Sequence, residues 1–113
     1  MDWKQYNSDM RGSLRNLNQA ASGTTRGFSA LTKTVHDSGV IDPKTKELVA
    51  LAISVADRCA PCIGFHIEAL IAKGATREEI SDILSICIQM GGGPSLMYAA
   101  KALEAFDQLS EGR

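Results

Sequence analysis

Two cysteines, Cys59 and Cys62, enclose a Cys-Ala-Pro-Cys segment. His66 lies four residues after the second, and Glu47 twelve residues before the first. Thiols at this spacing can close a small disulfide ring or act one after the other on a single electrophile. Proton transfer at sulfur needs an acid–base group within reach, and a histidine and a carboxylate are side chains that supply it. If these four residues meet in the fold, the chain carries a dithiol redox site, with Cys59, Cys62, His66 and Glu47 as the catalytic candidates.

The elements that must position them are helices. Trp3, Tyr6, Met10, Leu14 and Leu17 recur at spacings of three and four, so a first amphipathic helix is expected from Asp2 to about Ala21, ending at Ser22-Gly23. A second runs from Thr25 to Ser38, presents Phe28, Leu31 and Val35, and stops at Gly39. Asp42-Pro43 reads as an N-cap with proline in the first turn, and opens a third helix that carries Glu47 and continues to about Asp57. This helix is apolar nearly all round from Leu48 onward, which places it at the centre of the core. The fourth covers Cys59 to Lys73 and ends at Gly74. The fifth opens on the capping box Thr76-Arg77-Glu78-Glu79. Gly91-Gly92-Gly93-Pro94 separates it from a last helix over Ser95 to about Leu109. Nothing alternates with period two, so the expected class is an all-α domain of about six helices.

Within the fourth helix Cys59 falls near the N-terminus, where unpaired N–H groups and the helix dipole favour a thiolate. Pro61 is tolerated there because the first turn needs no N–H from it. Cys59, Cys62 and His66 are three and four residues apart and share one face, so His66 can exchange a proton with the Cys62 sulfur directly or through one water. Other readings stay open. Glu47 can be an ordinary helix residue paired with Lys44 or Lys46, and Cys59, Cys62 and His66 can be three ligands of a metal ion. Structural zinc normally takes four ligands with a second ligand pair, and the only further candidates, Cys87 and Glu47, lack that spacing. No resident metal or cofactor is therefore expected. Cys87 reads as a small buried residue and His36 as a helix C-terminal capping residue.

With 113 residues there is room for one core. The organisation expected is one structural domain, with N-terminal helices over 1–39 and a core over 40–109 that carries the cysteines. The 12 Lys and Arg nearly balance the 13 Asp and Glu, which leaves no basic footprint for nucleic acid or an anionic membrane. The first residues are polar, unlike a signal peptide, and the longest apolar stretch, Leu48 to Ala56, is too short to span a bilayer. A cytoplasmic location is expected, where a paired-cysteine motif is catalytic or metal-binding rather than a structural staple. The third helix and Ile80 to Met90 have little polar surface, so a homo-oligomer is expected.

Glu47, eleven intervening residues, Cys59-x-x-Cys62 and His66 resemble the motif of the alkyl hydroperoxidase D (AhpD)-like proteins of the carboxymuconolactone decarboxylase superfamily. Asp42-Pro43-Lys44-Thr45-Lys46-Glu47-Leu48, Gly91-Gly92-Gly93-Pro94 and Tyr98-Ala99-Ala100-Lys101-Ala102-Leu103 agree with it, and the likeness covers about Val40 to Ala105. The resemblance implies an AhpD-like all-helical protomer assembled as a trimer or hexamer. It also implies peroxidase or disulfide-exchange chemistry in antioxidant defence, with a peroxide or disulfide substrate and an external dithiol reductant. By the same resemblance Cys62 is the peroxidatic thiol, Cys59 resolves its sulfenic acid to a disulfide, and Glu47 and His66 deprotonate Cys62 and protonate the leaving hydroxide. Better-characterised AhpD peroxidases carry histidine where this chain has Pro61, a change that suits general disulfide exchange. The alternatives are a decarboxylase-type lyase, in which the cysteines are incidental, and a non-catalytic metal-binding oligomeric module.

Overall fold

The computed structural model describes residues 1–112 as six α-helices: α1 (Trp3–Ala20), α2 (Ser22–Asp37), α3 (Pro43–Ala56), α4 (Ala60–Ala72), α5 (Arg77–Gly91) and α6 (Gly93–Leu109). No strand occurs among the described residues, so the all-α class and the helix count are as the punctuation predicts. Two boundaries differ. Helix α2 resumes at Ser22 after the single break residue Ala21, and α6 starts at Gly93, with Pro94 in its first turn rather than before it.

Local chemistry explains the helix ends. Asp2, Asp42 and Thr76 each accept a backbone N–H three residues on, from Gln5, Thr45 and Glu79. Glu79 returns the favour to the Thr76 N–H, which completes the capping box. At the end of α4, Gly74 takes the left-handed conformation, and the Ala75 N–H bonds the Leu70 carbonyl at 2.9 Å. The end of α3 repeats this Schellman pattern with Arg58 in the glycine role at φ 56°: Arg58 N–H bonds Val55 O, and Cys59 N–H bonds Ser54 O. A link of three residues thereby turns the chain sharply from α3 into α4 and delivers Cys59 to the start of α4.

The core lies among α3, α4, α5 and α6, with the first turns of α1 laid against it. Its centre is α4, whose Ile63, Ile67 and Leu70 are fully buried. Helix α3 occupies a flank, which corrects the expectation from its composition: Leu51 and Val55 face inward, while Val49 and Ile53 remain exposed. A helix that is apolar on all sides needs neighbours on all sides, and one protomer supplies them on one side only. Helix α2 has no buried residue and meets α1 near the turn that joins them, so it stands out from the body as an arm. The radius of gyration, 14.5 Å, exceeds the ~13 Å expected for a compact chain of this length.

Candidate functional site

Cys59 is the N-cap of α4, Ala60 and Pro61 follow in the first turn, and Cys62 comes next. The Cys62 N–H donates to Cys59 Sγ at 3.3 Å, so a sulfur occupies the place where a serine or aspartate oxygen usually satisfies an orphan donor. Cys59 and Cys62 are joined in a disulfide, with Cα atoms 5.2 Å apart. Both are half-buried, so the bond lies within reach of solvent. In this oxidised state neither sulfur is free to ligate a metal, and no group of three His, Cys, Asp or Glu side chains among the described residues is arranged to hold one.

One turn further along α4, His66 directs Nδ1 to Glu47 Oε2 at 2.6 Å. Glu47 projects from the second turn of α3, and its side chain is only 5% exposed, against 34% for His66. The antiparallel α3–α4 hairpin brings the two together across a sequence separation of nineteen. With Nδ1–H donating to the carboxylate, the ring keeps Nε2 as its free nitrogen. The carboxylate thereby fixes the tautomer and orientation of the imidazole, as the aspartate does in serine-protease triads. The arrangement can hold or move a proton one helical turn from Cys62.

The lysines of α3 are engaged elsewhere, so the expected pairing of Glu47 with Lys44 or Lys46 does not form. Lys44 pairs with Glu79 at 2.8 Å. Lys46 caps the C-terminus of α2, donating to the Val35 carbonyl at 2.6 Å and also to that of Ser38. Neither takes the Glu47 carboxylate, which instead faces two histidines: His36 Nε2 from the last turn of α2 lies 3.4 Å from Glu47 Oε1. His36 is therefore not simply a cap on its own helix end. The clue available in the sequence was its place one short loop before α3, where the last turn of α2 must lie close to the first turns of α3.

Cys87 is buried on α5 with its sulfur toward the Ala52 carbonyl, and burial pushes its thiol pKa up. A protonated, enclosed thiol is a poor nucleophile, so this cysteine stands apart from the other two. On the opposite flank of α4, Arg11 pairs with Glu68, and that guanidinium holds the Glu68 carboxyl below its ordinary value.

The sequence profile of the carboxymuconolactone decarboxylase family matches residues 23–105, a span that starts earlier than Val40 and takes in most of α2. A carboxymuconolactone decarboxylase family protein from Legionella pneumophila has a solved structure that superimposes with a TM-score of 0.92 at 43% identity, over 96% of this chain and 97% of that one. A family protein from Thermotoga maritima, for which a part in antioxidative response has been suggested, gives 0.82 at 30% identity over 94% and 91%. An uncharacterised protein of Cupriavidus necator is 39% identical over 94 residues, 83% of each chain.

Proposed function

From the chain's membership of the carboxymuconolactone decarboxylase family, to which it belongs, we propose that it is a thiol-dependent peroxidase and disulfide oxidoreductase of the AhpD type. The observation that carries this reading is the Cys59–Cys62 disulfide one helical turn from a histidine held by a buried carboxylate. The antioxidative role suggested for the Thermotoga relative points the same way.

In the reduced protein His66 takes the Cys62 proton, and the thiolate attacks the terminal oxygen of a hydroperoxide. The O–O bond breaks, an S–O bond forms, and the departing alkoxide or hydroxide takes a proton back from His66, which leaves Cys62 as a sulfenic acid. The Cys59 sulfur then attacks Cys62, the S–S bond forms, and water leaves. Two electrons from the thiol pair have reduced the peroxide. An external dithiol returns them by two thiol–disulfide exchanges and is itself oxidised. Glu47 orients His66 and stabilises its charged form during both proton movements. The position of Cys59 at the helix N-terminus favours its thiolate as the leaving group when the disulfide is reduced. Pro61 lies in the first turn of α4, where no third proton carrier stands between the cysteines, so exchange with small disulfides is a second activity of the same pair.

The need for continual re-reduction suits a cytoplasmic location, and no described helix is long and apolar enough to cross a membrane. The exposed faces of α2 and α3 suit self-association as a trimer or hexamer. The test is the intact mass of the reduced chain before and after one equivalent of hydroperoxide. Formation of the disulfide removes two hydrogens, about two daltons, and Cys62→Ser prevents it. An unreactive wild type that instead decarboxylates a lactone, with Cys62→Ser equally active, would sink the redox reading in favour of the lyase.

A further inference from the structure

We propose that His36 is a positioning residue of this site, reaching in from α2 to hold the Glu47 carboxylate against His66. Glu47 has two carboxylate oxygens and is nearly enclosed. Oε2 meets His66, and Oε1 meets His36 at 3.4 Å, within ion-pair distance. A buried carboxylate with one oxygen unpartnered is costly and free to turn; His36, when protonated, pairs the second oxygen and holds the carboxylate in place.

The arm is built to bring His36 there. Helix α2 buries none of its residues, yet its last turn is tied to α3 at two consecutive positions, Lys46 to the Val35 and Ser38 carbonyls and Glu47 to His36. The charged groups around His36 are otherwise engaged. On its own helix Lys33 pairs with Asp37, and on α3 Lys46 is bound to carbonyl oxygens. On α4 the ring of His66 lies on the other side of the carboxylate. Glu47 is thus the acidic group His36 meets, and docking of α2 is coupled through it to the imidazole that serves Cys62. The inference rests on the reading of Glu47 and His66 as the proton relay of Cys62.

The test uses the full chain, reduced, and follows carbamidomethylation of Cys62 by iodoacetamide across about pH 5 to 9, read by peptide mass. This readout does not require the protein to reduce peroxide. His36→Ala should slow alkylation of Cys62 at neutral pH by about two- to fivefold and move its pH profile upward, the size expected for a partly exposed ion pair. In a Glu47→Gln background the further change His36→Ala should have no effect, because the two residues act as one unit. A His36→Ala profile that overlays wild type, beside a Glu47→Gln profile that does not, overturns this inference alone. A His36→Ala effect that persists undiminished in the Glu47→Gln background also overturns it, since the histidine would then act through the stability of α2 rather than through the carboxylate. A Glu47→Gln profile identical to wild type removes the relay itself and this inference with it.

Discussion

Arg58 holds a left-handed backbone immediately before Cys59, at a position where helix ends usually place glycine. A side chain with a Cβ costs about 1–2 kcal/mol in that conformation, part of which glycine gives back as chain entropy. Arg58→Gly should therefore raise stability by about 0.5–1 kcal/mol in thermal or urea unfolding. A loss of stability would mean that the arginine side chain contributes more than its backbone strain removes. The thiol pair and His66 were legible as residues because their relation is set by helical register within one element. The partners of Glu47 were not. Whether it pairs with Lys44, Lys46 or a histidine depends on where Glu79 and the end of α2 lie, and those are tertiary facts. The approach of His36 to Glu47 was hidden for the same reason, since a histidine in a last turn reads locally as a cap.

Helix ends were legible because caps are local: Asp42, Thr76, Gly74 and Gly39 each act within a few residues of themselves. Which helix forms the axis was not, since composition favours α3 and packing chooses α4. Part of the cause is Gly64, which lets α1 approach α4 so closely that the buried Asn7 side chain fills the space a Cβ would need, with Asn7 Nδ2 donating to the Gly64 carbonyl at 3.1 Å. Gly64→Ala should destabilise the protein by about 1–3 kcal/mol through overpacking. Adding Asn7→Ala should recover part of that loss, and a double variant as unstable as the sum of its parts would contradict the close approach as the cause.

The whole molecule leaves apolar side chains in the open at Phe28, Leu31 and Val35 on α2, Val49 and Ile53 on α3, and Ile86 and Met90 on α5. Phe28, at 69% exposure, lies with Leu31 and Val35 on one face of α2, an apolar stripe of the kind that marks an association surface. Sedimentation equilibrium should give three or six times the chain mass, and a monomer at micromolar concentration would refute the assembly. Such an assembly would also hold α2, and with it His36, against α3. The central claim concerns turnover. It is tested most directly by hydroperoxide consumption with an external dithiol as the sole reductant, comparing wild type with Cys62→Ser. The account predicts steady loss of hydroperoxide matched by oxidised dithiol in wild type and none above background with Cys62→Ser. Equal rates in the two proteins would contradict it.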